Sequence, residues 1–175
     1  MKRMAHPFQS VAYIQIRRRW LGIQVLTWSG KTGEWIGAPD VLLVQGKKGE
    51  VQAYLADDPK VLSKAPFGAF SAFAHPRVLI DRFDDTCRVI DVCLKKAGWK
   101  KQMSYAVFVF HIRDEWAGGI SDIEQKALMD LAKKLGANRT TLVNSMRELS
   151  APEILQIARG SVNPAKHEAI VIDVP

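Results

Sequence analysis

Cysteine is nearly missing: Cys87 and Cys93, six positions apart, are the only two in 175 residues. That spacing fits neither a C-x-x-C redox pair nor a zinc knuckle, which removes a disulfide framework and a zinc site from consideration. Both thiols read as small packing residues. Long apolar runs are missing too, since no uncharged stretch approaches the roughly 18–20 residues needed to cross a bilayer. The N-terminus, MKRMAHPFQSVAYIQIRRRWL, has a basic start but no apolar core of roughly 7–15 residues and no small-residue cleavage site. A cytoplasmic protein without a membrane span is the expectation. No G-x-S-x-G, Walker loop or H-E-x-x-H occurs. His6, His75, His111 and His167 are too scattered to pair as metal ligands. No cofactor or metal is expected.

What is present is an ordinary globular composition: 47% hydrophobic, 25% charged, with 25 basic against 18 acidic residues, a net charge of +7. A chain of this length removes roughly 70% of its unfolded surface from water, so its core needs no metal or cross-link. The organisation expected is a tail over 1–10, one domain over 11–166 and a terminal strand over 167–175.

Residues 11–16 (VAYIQI) and 21–26 (LGIQVL) are β-branched and alternating, which predicts a hairpin around Arg17-Arg18-Arg19-Trp20. Trp28 to Gly33 reads as a turn, Val41 to Gln45 as a strand, and Gly46 to Gly49 as a tight turn into a strand over Glu50–Leu55. The first third is thus an antiparallel meander. Residues 57–76, with Pro59, Pro66, Gly68 and Pro76, read as an irregular loop despite Phe67, Phe70 and Phe73 at helical spacing. A short extended piece over Val78–Ile80 then leads to a helix over Asp84–Ala97, with an apolar stripe and a closing Gly98. YAVFVFHI, residues 105–112, is apolar on both faces, as a central strand covered by helices should be. Ser121 and Glu124 form a capping box, opening a helix whose stripe is Ile123, Ala127, Leu128, Leu131, Ala132 and Leu135. A strand over Thr140–Asn144, a helix over Ala151–Arg159 with Pro152 in its first turn, and a strand over Glu168–Val174 complete the chain. The fold class is α/β: a mixed sheet, antiparallel meander first and β-α-β-α units after, whose right-handed crossovers make the later strands parallel.

The order of elements and three segments resemble the first half domain of bacterial actin-like proteins of the MreB group, a ribonuclease-H-like half. The segments are HPRVLIDRFDDTCRVIDVCLKKAG (75–98), SDIEQKALMDLAKKLGANRTTLVNSMRELSAPEI (121–154) and AIVIDV (169–174). The resemblance implies an Asp- and Gly-bearing phosphate turn in the first hairpin, where this chain reads Ile14-Gln15-Ile16-Arg17-Arg18-Arg19-Trp20. It implies a second phosphate loop after Ile172-Asp173, where the sequence reads Val174-Pro175, so only Asp173 matches. No ATPase activity is expected from this chain alone.

Other candidates weaken on inspection. A two-metal nuclease on this sheet needs a carboxylate on the first strand, and 11–16 has none. Asp81, Asp84 and Asp85 sit where a helix dipole favours negative charge. Asp114 and Glu115 end the central strand, where open α/β sheets place ligands, but read as a solvated loop. His111 reads as a hydrogen-bonded core histidine. Basic residues cluster at Lys2-Arg3, at Arg17-Arg18-Arg19 beside Trp20, at Lys47-Lys48, and at Lys95, Lys96, Lys100 and Lys101 around Trp99. Trp20, Trp28, Trp35, Trp99 and Trp116 are many for this length and mark exposed aromatic area suited to a protein interface. The leading expectation is a non-enzymatic scaffold or protein-binding half domain, self-associating as a homodimer through Arg17, Arg18, Arg19, Trp20 and the terminal strand with Ile170 and Ile172. The alternative is a nucleic-acid binder using Lys95, Lys96, Lys100 and Lys101 with the arginine run.

Overall fold

The first hairpin forms as its alternation requires. β1 (Ser10–Arg17) pairs antiparallel with β2 (Trp20–Thr27) across a two-residue turn at Arg18-Arg19. These are the first elements in a computed structural model that describes residues 10–61, 64, 66–100, 105–114 and 119–160. β7 (Ala106–Ile112) lies parallel to β1, and β8 (Arg139–Asn144) lies parallel to β7. With β3 (Gly30–Gly37) outside β2, the order of this five-stranded sheet is β3-β2-β1-β7-β8. The mixed α/β class, the parallel later strands and the internal position of strand 105–112 are all as the sequence indicated.

Alternation sorts the sheet's side chains between two dry faces. Ala12, Ile14, Ile16, Leu21, Ile23, Phe108 and Phe110 meet α1 (Phe83–Lys96) and α2 (Asp122–Lys134). Val11, Tyr13, Val107, Val109 and Val143 meet α3 (Ala151–Ala158). All seven residues of β7 are buried. Each Val or Phe taken fully from water contributes about 1.5–3 kcal/mol, so this strand anchors the fold. The capping box at Ser121–Glu124 is present, and a second one, Ser150–Glu153, opens α3. No helix among the described residues is long and apolar enough to cross a membrane.

Five expectations are corrected. The Trp28–Gly33 turn is confined to Trp28-Ser29, and Gly30–Gly37 is a strand. The meander is split: β4 (Asp40–Gln45) and β5 (Val51–Leu55) leave the large sheet and form a second one with β6 (Pro66–Ser71), in the order β5-β4-β6. The stretch read as a loop therefore contains β6, preceded by a 3-10 turn at Pro59–Val61. Proline is tolerated there because β6 is an edge strand and Pro66 is its first residue. Residues 78–80 form no strand, and Ile123, assigned to the α2 stripe, is 81% exposed because it lies in the first turn, beyond the packed face. The terminal strand, with Ile170, Ile172 and Asp173, lies outside the described residues.

One close approach fixes how α1 meets the large sheet. A Cβ on Gly33 of β3 would stand 1.9 Å from the Ala97 carbonyl oxygen at the end of α1, so glycine alone fits there. Buried polar side chains interrupt the face under α3, among them Gln15, Thr141 and His111. His111 Nε2 lies 2.9 Å from both the carbonyl and the hydroxyl of Ser145, and Nδ1 lies 2.5 Å from the Tyr13 hydroxyl. Because a carbonyl only accepts, Nε2 carries the proton and Nδ1 accepts from Tyr13. Burial is the main cause that lowers the His111 pKa to about 4 and lifts that of the Tyr13 phenol well above its ordinary value.

Two predictions follow from this packing. Gly33→Ala should lose about 1–3 kcal/mol in urea denaturation, the usual cost of overpacking; an unchanged midpoint would contradict the Gly33–Ala97 contact. His111 binds its proton more weakly folded than unfolded, so its contribution is complete above pH ~6.5 and is lost as pH falls toward 4, on the order of 3 kcal/mol in all. The stability–pH curve should flatten over that window in His111→Gln, and an identical slope in the two proteins would exclude His111 as its source.

Candidate functional site

Because β1, β7 and β8 are parallel, their C-terminal ends meet at one end of the large sheet, the place where open α/β sheets bind ligands. The β1–β2 turn sits there with Arg19 at φ 55°, a left-handed backbone uncommon outside glycine. Neighbouring segments hold it. Arg19 N–H donates to the Phe73 carbonyl (3.1 Å), Arg18 N–H donates to the Asp114 carboxylate (2.8 Å), and Arg113 N–H donates to the Ile16 carbonyl (2.9 Å). Asp114 is therefore a backbone anchor for the arginine turn. Beside it the buried Arg113 donates to Gln15 (2.6 Å) and pairs with Glu148 at 3.5 Å. Arg147 pairs with Glu153 at 2.7 Å, and this partner, ahead of Ser150, holds the Glu153 pKa down to about 2.

The turn displays a stack. The Arg17 guanidinium lies 5.0 Å from the centre of the Trp20 ring, and the same ring closes on Gly22, where a Cβ would come within 2.6 Å of it. Gly22 is paired with Ile36 of β3, which is 54% exposed. Leu21 and Ile23 face α1, so Trp20 and Gly22 lie on the opposite face. There α3 contacts β1 and β7. The result is a half-buried Trp, an Arg over it and an exposed Ile at the sheet's β2–β3 side. Sequence reading found Arg17–Trp20 but not the role of Gly22. The available signal was a repeated Trp-x-Gly, Trp20-Leu21-Gly22 and Trp35-Ile36-Gly37, where a Cβ on Gly37 would again come close to the ring, 3.1 Å from Trp35.

The remaining sequence candidates are dispersed. Lys95 pairs with Asp91 (2.5 Å) and Lys96 with Asp58 (3.0 Å). Lys100 is exposed, and Lys101 lies outside the described residues. Asp84 pairs with Lys134 at 2.6 Å, which lowers the Asp84 pKa. Asp85 is paired with Arg82 and Arg88 on α1, far in sequence from Asp114. Glu115 and Trp116 are outside the described residues. Among the described residues no three of His, Cys, Asp and Glu come together as a metal site. Cys87 and Cys93 are buried free thiols whose pKa values are raised by that burial, as packing residues rather than nucleophiles.

No protein-family model matches the chain, and no curated protein matches it. Solved structures do. MreB5 of Spiroplasma citri bound to ADP superposes with a TM-score of 0.53 at 12% identity, covering 79% of this chain and 39% of that one. MreB5 bound to AMPPNP gives a TM-score of 0.48 at 12% identity, over 77% and 38%. The chain thus spans about two fifths of the MreB5 chains it matches. At that identity the likeness is one of architecture, and the chain has the fold of an actin-like half domain.

Proposed function

We infer that this chain is a non-enzymatic, cytoplasmic protein-binding module that self-associates through the Trp20 face of its large sheet. The observation that carries this reading is the stack of Arg17 on Trp20 on Gly22 beside the exposed Ile36. Trp and Arg dominate the energetics of protein interfaces, and a ring already fixed by a neighbouring guanidinium loses little rotamer freedom on docking. MreB5 holds ADP in its crystal. Here the hairpin turn that the resemblance equates with a phosphate turn is Arg17–Trp20, without acid or glycine, which supports a role that does not turn over nucleotide.

Nucleic acid is the weaker reading. Lys95 and Lys96 each have a carboxylate partner on the surface, so they give a phosphate backbone little uncompensated charge.

Light scattering across a concentration series tests the reading. The wild type should run as a dimer, and Trp20→Ala should raise the dissociation constant about tenfold or more, or roughly 1.4 kcal/mol. A wild type that stays monomeric at every concentration would reject self-association. A dimer indifferent to Trp20→Ala would move the interface elsewhere, and a 260 nm absorbance removed by high salt would favour nucleic acid.

A further inference from the structure

The chain leaves α3 on the same side of the large sheet as the Trp20 stack. α3 runs back along the strands: Glu153 in its first turn meets Arg147, just past the end of β8, and its last residue, Ala158, accepts a hydrogen bond from Arg139 at the start of β8 (3.0 Å). Arg159 then lies over the Trp28 ring at 3.9 Å. Trp28 is in the β2–β3 turn, so residue 160 is delivered to one end of the β2–β3 face, and Trp20 stands at the other end.

This face is apolar along β2 and β3 and one-signed at its Trp20 end. α3 packs on β1 and β7. Beside it the Trp20 ring closes on Gly22, Gln24 is half-buried and Ile36 is 54% exposed. Arg113 is answered by Glu148 and Arg147 by Glu153, and the Asp114 carboxylate accepts from the Arg18 backbone. Arg17 has no carboxylate partner among the described residues, and its buried Nε donates to nothing there.

Residues 168–174, Glu-Ala-Ile-Val-Ile-Asp-Val, carry the matching chemistry: Ile170 and Ile172 share one side of an extended chain, and an acid stands near each end. Such a segment reaches the outer edge of β8 only by a left-handed path, because α3 is on the face opposite α1 and α2. The edge at β3 is blunted by Gly30, Gly33 and Gly37 with Lys31 and Glu34. The open face is within reach. Residues 161–167 span up to about 25 Å when extended, and the eight residues of β2 measure about 26 Å. A segment running from the Trp28 end toward Trp20 brings Asp173 to Arg17.

We propose that the Trp20 face is the docking site of this chain's own residues 168–174, which cover it in cis and compete there with a second copy. Ile170 and Ile172 pack on Trp20 and Ile36, and Asp173 pairs with Arg17. A short tether holds the segment at an effective concentration on the order of millimolar, so modest contacts suffice. Dimers then form from the uncovered fraction, and the apparent Kd is the intrinsic one divided by that fraction. The competition rests on the self-association reading; the docking does not.

Two full-chain variants test this. In Ile36→Cys/Ile172→Cys, mild oxidation should join the two new cysteines within one chain, read by peptide mapping of the monomer band, whereas Phe67→Cys/Ile172→Cys, with its first cysteine on the small sheet, should not close. In Ile170→Asp/Ile172→Asp the face is released, and light scattering should show the dimer tightened about tenfold, as for a face open in roughly one molecule in ten. Absence of the intrachain disulfide, or a link between two chains in its place, would overturn the proposal. So would a released variant that dimerises no better than the wild type while the wild type dimerises. Where the intrachain link forms but neither protein dimerises, self-association fails and the docking stands.

Discussion

The architecture depends on β7 having no solvated side. Its seven buried residues demand cover above and below, and the chain supplies it with α1 and α2 on one face and α3 on the other. Cover on both faces makes the strand ends and the outer strands the places where polar chemistry can reach solvent. It also dictates how the one histidine in β7 must behave. A buried, charged imidazole would cost several kcal/mol, so His111 remains neutral and its two nitrogens are divided between Tyr13 and Ser145. The network is a consequence of burial, which is why it belongs to the core.

Local patterns were legible wherever one element's own sequence decided its structure. The apolar run of β7, the β1–β2 alternation and the Ser121–Glu124 box each depend on residues within a few positions, and each is found where the sequence placed it. β3 was illegible because its glycines look like turn residues. Gly33 is there so that the Ala97 carbonyl of a distant helix can approach, a requirement 64 positions away. Pro59, Pro66, Gly68 and Pro76 misled in a similar way: they read as a loop, but Pro66 opens an edge strand from which Phe70 packs into the core while Phe67 faces solvent. The split of the meander into two sheets has no signature in any strand, because it follows from how the chain after Pro39 packs on α1.

The candidate surfaces divide along the same line. Arg17 to Trp20 stands out in the sequence because the four residues are consecutive. That the indole closes on Gly22, whose partner in β3 is the exposed Ile36, emerges only once β2 and β3 pair. The exit of α3 beside this face has no sequence signal at all, since Arg159 meets Trp28 across some 130 residues. Lys95 and Lys96 drew attention as a basic pair, yet each is answered by an acid, Asp91 within the helix and Asp58 from beyond β5. A surplus of basic residues in composition is therefore a poor guide to local potential. Exposed pairs of this kind add little stability, but they cancel much of the field that a polyanion would require.

Helix placement also distinguishes the outer strands. β1 to β7 and β7 to β8 advance in one direction across the sheet, with α1 and α2 on the same face, as right-handed crossovers require. α3 lies on the opposite face. A right-handed connection leaving it leads back toward β7 and β1, where every position is filled, and only the disfavoured left-handed path would reach the outer edge of β8. Handedness thus steers this chain's own connection away from the outer edge of β8, and β3 blunts the opposite edge through glycine and charge. At β5 the small sheet is covered by α1, against which Val51 and Ala53 pack.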